Sequence, residues 1–276
     1  MNEKTAFITG TSTGIGAATA ELLCSKGWKV YGTVRKISDA KDLTSKYNDR
    51  FEAVVYDVRD VESLTALTEK IILDLGDRGL DLLVNNAGIA VAGPLEEISN
   101  EDFEMQLDVN VKAVFRITNA FIPALIKNGH SNIINIGSIS GLFTSPFLGA
   151  YSISKFAVES MSDAYRRELL PFGVDVFCLE PGPIITPIWK KTANAFDKFA
   201  HSRYAPFLPK MAELSKNSIK KAKPVSEVIG VIDQIIQQKA NKPRYVIAAN
   251  KLFYNFFRHL LTDRFIDRQI KNKIYS

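Results

Sequence analysis

Thr9-Gly10-Thr11-Ser12-Thr13-Gly14-Ile15-Gly16 places three glycines between a strand pattern and a helix pattern. It follows a short apolar run, Thr5-Ala6-Phe7-Ile8, and passes directly into a helical pattern from Ile15 to Lys26. Glycines at such a junction permit a tight turn and let backbone N–H groups approach a phosphate closely. The helix that begins there adds the positive end of its dipole. The spacing is Gly-x-x-x-Gly-x-Gly rather than Gly-x-Gly-x-x-Gly.

Working outward, the same strand–helix alternation repeats. Candidate strands are Thr5–Thr9, Lys29–Val34, Phe51–Tyr56, Leu80–Val84, Asn132–Ile136, Val174–Leu179 and Tyr245–Ala248. Several are continuous apolar runs, as expected of parallel strands covered on both faces. Candidate helices are Ile15–Lys26, Val61–Leu75, Glu101–Ile126, Tyr151–Leu170 and Ser226–Lys239. Gly27, Gly76, Gly79 and Gly129 fit helix ends or turns, and Ser226 reads as a helix cap. The pattern predicts the α/β class: a single Rossmann-type doubly wound parallel sheet of about seven strands, with helices on both faces. No repeat or linker divides residues 1–276, so one domain is expected.

Composition narrows the function. The chain has 276 residues, 46% of them hydrophobic and 24% charged, an ordinary globular balance. No run of about 18 apolar residues occurs, so no membrane-crossing helix is expected, and the few residues before Thr5 leave no room for a signal peptide. Cys24 and Cys178 form no Cys-x-x-Cys pair and read as buried, reduced thiols of a cytoplasmic protein. His130, His201 and His259 lack metal-ligand spacing, so no metal is expected. Nothing points to nucleic acid. The net charge of +5 is uneven: residues 187–223 carry nine Lys/Arg and two Asp/Glu, and residues 251–276 carry six and two. The rest of the chain is therefore acidic. Two solvated helical faces would explain this pattern, as would attraction to an anionic carrier or a membrane surface.

Chemistry concentrates around Tyr151 and Lys155, one helical turn apart on one face. A lysine ammonium held there stabilises a phenolate, which lets a tyrosine act as general acid or base on an alcohol or carbonyl. Tyr-x-x-x-Lys alone is a common helical spacing, so its neighbours carry the argument. Asp57-Val58 ends the third strand, where a carboxylate can accept a bond from an adenine amine. Asn85-Asn86-Ala87-Gly88 ends the fourth, at the sheet edge where nucleotides sit. At the end of strand two, where an acidic residue usually holds the ribose 2′-hydroxyl, stand Val34, Arg35 and Lys36. A guanidinium there suits a 2′-phosphate, so NADP(H) is expected over NAD(H).

Taken together, Thr9–Gly16, Asn85–Gly88, Asn110, Ser138, Tyr151/Lys155 and Pro181-Gly182 followed by Thr186 resemble the short-chain dehydrogenase/reductase family over about residues 4–186. The resemblance implies hydride transfer with Asn110, Ser138, Tyr151 and Lys155 as the catalytic set. Tyr151 would exchange the proton, Lys155 would assist it and bind the nicotinamide ribose, Ser138 would polarise the carbonyl, and Asn110 would hold a water. It assigns cofactor binding to Gly10, Ser12, Thr13, Gly14, Ile15, Gly16, Arg35, Asp57, Val58, Asn86, Ala87, Gly88, Tyr151, Lys155, Pro181, Gly182, Ile184 and Thr186. A hydrolase nucleophile elbow at Ser138 is unsupported, because Ile139-Ser140 follows it and Gly-x-Ser-x-Gly is not matched.

Residues 187–223, rich in aromatics, lie where the family places a substrate flap. Phe143, Phe147 and Trp189, with Ser138 and Tyr151, are the expected substrate residues, and an apolar pocket with one polar centre suits a lipophilic ketone or secondary alcohol. The tail from 250, with Arg264-Phe265-Ile266-Asp267-Arg268, resembles the steroid and retinol dehydrogenase branch. Its apolar stripe, Leu252, Phe253, Phe256, Phe257, Leu260 and Leu261, would pack on the body or a partner subunit, or attach peripherally to a membrane. A homo-oligomer, dimer or tetramer, is implied, through helices 101–126 and 151–170. The competing readings are a 3-oxoacyl-[acyl-carrier-protein] reductase and a non-catalytic NADP-sensing protein.

Overall fold

Each residue of Thr5–Ile8 (β1) is buried, which alternating exposure on a one-sided sheet would not give. The reason is visible in the computed structural model, which describes residues 3–186, 196–251, 254 and 261–275. The strands β1, Lys29–Val34 (β2), Phe51–Val55 (β3), Leu82–Asn85 (β4), Ser131–Ile136 (β5), Val174–Pro181 (β6) and Arg244–Ile247 (β7) form one sheet in the order β3-β2-β1-β4-β5-β6-β7. Every pairing is parallel.

The helices are Gly14–Ser25 (α1), Lys41–Tyr47 (α2), Glu62–Leu75 (α3), Asn100–Leu107 (α4), Ala113–Asn128 (α5), Gly149–Leu169 (α6), Leu208–Lys220 (α7), Val225–Ile236 (α8) and Asp263–Ile274 (α9). Successive strand residues point to opposite faces. Ala6 and Ile8 join Leu23 of α1 and Val228, Ile232 and Ile235 of α8 on one face. Phe7 points the other way, to Ile71 of α3, Ile117 and Phe121 of α5 and Tyr165 of α6. The rings of Phe7 and Phe121 lie 4.5 Å apart between centroids. Burying each such side chain contributes about 1.5–3 kcal/mol.

The order reverses between β1 and β4, so their carboxyl ends open a crevice at the switch point. Both the glycine stretch and Asn85–Gly88 emerge there.

The structure departs from the sequence reading in four places. The helix expected over Glu101–Ile126 is broken: a π turn, Asp108–Lys112, separates α4 from α5. The fourth strand starts at Leu82, because Gly79 adopts φ +76° and the Leu80 N–H bonds the Ala124 carbonyl instead of the ladder. Ser226 lies inside α8, whose cap position is Pro224. The short helix α2 was not foreseen.

The stretch Asn100–Asn128 has a window of mean hydropathy 1.3, long and apolar enough to cross a membrane by composition alone. Its apolar residues Ile117, Phe121, Ala124 and Leu125 are buried against the sheet, which is reason enough for its hydropathy.

A third apolar cluster sits beyond the carboxyl edge. Phe147, Phe199, Leu208, Met211 and Ile274 are buried in it, so the segment after Asp197, α7 and the carboxyl-terminal α9 pack together. Trp189 and the tail residues Leu252, Phe253, Phe256, Phe257 and Leu260 lie outside the described residues.

Candidate active site

Gly10 and Gly14 both adopt positive φ, +72° and +64°, which a residue with a Cβ adopts only under strain. Gly16 has no space for a side chain: a Cβ would stand 2.2 Å from the Gly10 carbonyl oxygen and 2.4 Å from Asn86 Nδ2. The turn is therefore folded tightly back on itself and on β4. Asn86 Nδ2 donates to the Thr9 and Gly10 carbonyls at 2.8 and 2.9 Å, and the Asn86 and Ala87 N–H groups both donate to Thr9 Oγ1 at 2.9 Å. From β2, Thr33 Oγ1 accepts from the Gly10 N–H at 2.9 Å. Ser12 and Thr13 stay exposed at the tip. No side chain caps α1, and its first turn holds no acidic residue. This rigid cradle at an open helix N-terminus fits the pyrophosphate of a dinucleotide.

Around it lie the other expected cofactor residues. Arg35 is exposed at the end of β2. Asp57 is held below its ordinary carboxylate value, chiefly by hydrogen bonds from the Arg59 side chain at 3.1 and 2.8 Å, although partial burial opposes the shift. Asp57 is therefore already paired with Arg59, which the sequence reading did not foresee. Val58 is buried, and Gly88 is exposed at the rim. Thr186 Cγ2 lies 3.3 Å from where a Gly14 side chain would begin, so the segment after β6 reaches across to the glycine turn. Gly182 is fixed by its N–H bond to the Ile247 carbonyl at 2.9 Å, and buried Ile184 pairs with Lys223. Pro181 ends β6.

The four expected catalytic residues come from three elements. The π turn turns Asn110 inward. Its Oδ1 accepts from the Ile89 N–H, and its Nδ2 donates to the Ile89 carbonyl and to Ser154 Oγ, at 2.9, 2.9 and 3.0 Å. Lys155, buried on α6, donates from Nζ to the Ile136 carbonyl at 2.7 Å. Its Nζ lies 5.8 Å from the Tyr151 ring centroid, within cation–π range. A side chain on Gly88 would begin 3.4 Å from Asn110 Oδ1 and 3.9 Å from Lys155 Nζ, so the rim of the crevice meets the lysine. Ser138 follows β5; its Oγ accepts from the Ser140 N–H at 3.1 Å and lies 3.4 Å from the Pro181 carbonyl. Its side chain is thereby aimed beside Pro181-Gly182.

The expected substrate residues divide. Phe143 is half-buried, its N–H bonded to the Ile139 carbonyl, whereas Phe147 is buried in the third cluster. Phe147 carries φ +64° and stacks edge-on against Tyr204 and Phe196 at 5.7 and 6.3 Å between centroids. Its carbonyl accepts from the Gly93 N–H at 2.8 Å. Phe199 covers Gly93 so closely that a Cβ there would stand 2.3 Å from the ring. The segment also closes by charge: Lys198 pairs with Asp102 at 2.6 Å, Arg203 with Glu96 at 3.2 Å, and Ser202 donates to Glu97 at 2.6 Å. Two basic residues of the flap thus meet the acidic stretch before and within α4. No cluster with metal-ligand composition occurs among the described residues.

A glycine cradle at the switch point of a parallel sheet is where α/β folds of this kind take a nucleotide, and a Tyr–Lys pair near its rim suits proton exchange with a CH–OH or carbonyl group. Comparison with known proteins agrees. Residues 4–196 match the short chain dehydrogenase family. The chain is 37% identical over 267 residues to an NADPH-dependent 3-dehydrocapnine reductase from Ornithobacterium rhinotracheale, covering 95% of this chain and 94% of that one. It is 34% identical over 270 residues to retinol dehydrogenase 16 from Mus musculus, covering 92% and 84%. A short-chain dehydrogenase from Streptomyces avermitilis shares the fold at TM-score 0.80 and 24% identity, covering 99% and 96%. The protein belongs to the short-chain dehydrogenase family.

Proposed function

We propose that the protein is an NADP(H)-dependent oxidoreductase that interconverts a lipophilic ketone and its secondary alcohol, with Tyr151 as general acid and base. The observation that carries this reading is the placement of Lys155 between the Tyr151 ring, the Ile136 carbonyl and the rim at Gly88. The bound cofactor supplies the hydride. Gly10, Ser12, Thr13, Gly14, Ile15 and Gly16 hold the pyrophosphate, and Arg35 faces the 2′-phosphate. Asp57 and Val58 border the adenine, while Asn86, Ala87 and Gly88 back the adenosine side. Pro181, Gly182, Ile184 and Thr186 shape the nicotinamide side. Ser138 donates to the substrate oxygen and stabilises charge developing there. Tyr151 exchanges the proton, Lys155 favours the phenolate when the proton leaves, and Asn110 fixes the π turn that positions Ile89 and Ser154 beside them.

The absence of a carboxylate at the end of β2 supports NADP(H), as does the NADPH dependence of the 3-dehydrocapnine reductase named above. The aromatic third cluster, which takes in Phe147 from the segment between Ser138 and Tyr151, supports a lipophilic substrate, with retinol dehydrogenases among the relatives. Since Lys198 and Arg203 are paired to the body, the flap's charge gives less reason to invoke an acidic acyl carrier. Ile270 and Ile274 of α9 pack into the third cluster, which supports a tail docked on the body. Exposed Phe115 of α5 and Ile153 and Phe156 of α6 support a homo-oligomer through those helices. The test is a panel of ketones and alcohols graded in size, each assayed with NADPH/NADP and NADH/NAD. Activity confined to small polar carbonyls, or faster with NADH, overturns the proposal.

A further inference from the structure

Beneath the proton-transfer pair lies a buried charge cluster that the scheme above does not use. Glu159 stands one helical turn after Lys155 on α6, and it is 5% exposed; Glu180 on β6 is 1% exposed. Burying two carboxylates is strongly unfavourable unless a counter-charge meets them. Arg244, the first residue of β7, meets both. Its Nη1 binds Glu159 and lies 3.4 Å from Glu180, and its Nη2 binds Asp163 of α6 at 2.8 Å. The parallel register sets Arg244 beside Cys178, whose thiol donates to Glu159 Oε1 at 3.0 Å.

Glu159 in turn presses on the chain that carries the site. A side chain on Gly137 would begin 2.7 Å from Glu159 Oε1, and one on Gly141 would begin 2.9 Å from Glu159 Cγ. Gly137 joins Ile136, whose carbonyl holds Lys155 Nζ, to Ser138. One glutamate side chain therefore packs against the glycines on both sides of Ser138, its carboxylate at Gly137 and its Cγ at Gly141, and one guanidinium holds its carboxylate.

We propose that Arg244 is a positioning residue for the reaction: it clamps Glu159 and Asp163 of α6 and Glu180 of β6, and so sets the register of Lys155 and Ser138 and the charge around them. The proposal rests on the assignment of Tyr151 and Lys155 above. The charged and titratable groups facing the clamp are Lys155, Glu159 and Asp163 on α6, Cys178 and Glu180 on β6, and Arg166 and Arg167, which pair with Asp163. The segment 137–141 contributes none.

Removing Arg244 takes a positive charge away from the proton-transfer pair, and removing Glu159 takes away a negative one. The two changes must move the pair's limb of the pH–rate profile in opposite directions, which loss of packing alone would not do. The experiment compares wild type, Arg244→Met, Arg244→Lys, Glu159→Gln, the double variant Arg244→Met/Glu159→Gln and Tyr151→Phe, using NADPH and the most active ketone of the graded panel. Arg244→Met is expected to lower kcat at least about tenfold with the NADPH KM within about twofold, and to move the limb up by on the order of half a unit. Arg244→Lys should fall between it and wild type. Glu159→Gln should move the limb down, and the double variant should recover part of the lost kcat, since the charge at Glu159 is removed while Glu180 stays without Arg244. A folded Arg244→Met with wild-type kcat and pH profile overturns the clamp, as does a double variant no better than Arg244→Met. Should Arg244→Met fail to fold, an unmoved limb in Glu159→Gln overturns it equally. Activity retained by Tyr151→Phe overturns the site assignment itself; its loss beside an unaffected Arg244→Met overturns the clamp alone.

Discussion

Gly16→Ala tests whether the cradle is as tightly built as its geometry requires. The added methyl would stand 2.2 Å from the Gly10 carbonyl oxygen and 2.4 Å from Asn86 Nδ2, where an ordinary contact is over 3 Å. Those two atoms are bonded to each other, and Asn86 Nδ2 also holds the Thr9 carbonyl. Making room strains both bonds, at about 1 kcal/mol each. Overpacking adds about 1–3 kcal/mol. The better helix propensity of alanine returns at most about 1 kcal/mol. The net expectation is a loss of about 2–5 kcal/mol, or very roughly 4–20 °C in Tm for a chain of this size. The moved amides should weaken NADPH binding as well. Gly230→Ala in α8 is the control, since nothing lies within 4 Å of its Cβ position; it should leave Tm unchanged or raise it. Thermal melts with and without NADPH, followed by NADPH fluorescence titration, give both readouts. A Gly16→Ala protein with wild-type Tm and NADPH affinity would refute the reasoning.

Other expectations follow from single features. Arg35→Ala should raise the Kd for NADPH about tenfold to a hundredfold, the worth of a lost charge-assisted contact, while NADH binding changes little; equal effects on the two cofactors would remove Arg35 from the 2′-phosphate. Burial pushes the Cys24 and Cys178 thiols up, to about 11 and about 12, from an ordinary value of 9.0. A raised thiol pKa keeps the sulfur neutral, so at pH 8 the thiolate fraction falls roughly a hundredfold or more; both thiols should resist a thiol reagent natively and react in denaturant. The stability that keeping them neutral contributes is present below pH 9 and should be lost as pH rises toward 11 and 12. Lys198→Ala/Arg203→Ala should raise the KM for bulky ketones about twofold to thirtyfold, from two half-exposed ion pairs worth up to about 1 kcal/mol each, and high salt should mimic it.

The parts of the fold carried by local pattern were legible in the sequence. Strand–glycine–helix at Thr5–Ser25, the apolar runs of β2, β5 and β6 and the motif positions at the carboxyl edge all stand where their spacing placed them, because both faces of a parallel sheet demand apolar residues. What was missed depends on partners distant in the chain. The π turn at Asp108–Lys112 leaves the apolar period of α4 and α5 nearly intact, so only the inward bonds of Asn110 reveal it. The basic excess of the flap was visible, but its acidic partners lie about a hundred residues earlier, in Glu96 and Asp102. The Arg244 cluster gave one weak signal, a glutamate directly after the apolar run of β6, and pairing across 64 and 85 residues cannot be read from spacing. That Phe147 joins the flap to the segment before α6 likewise depends on partners some fifty residues on, Phe196, Phe199 and Tyr204.

The central claim is that Tyr151 moves the proton in a hydride-transfer reaction. The most direct measurement is steady-state NADPH oxidation by a lipophilic ketone, wild type against Tyr151→Phe, with NADPH binding measured on both. The account predicts a fall in kcat of about a hundredfold to ten-thousandfold with the NADPH Kd nearly unchanged, the range expected for loss of a general acid. A Tyr151→Phe protein that turns over at the wild-type rate would contradict it.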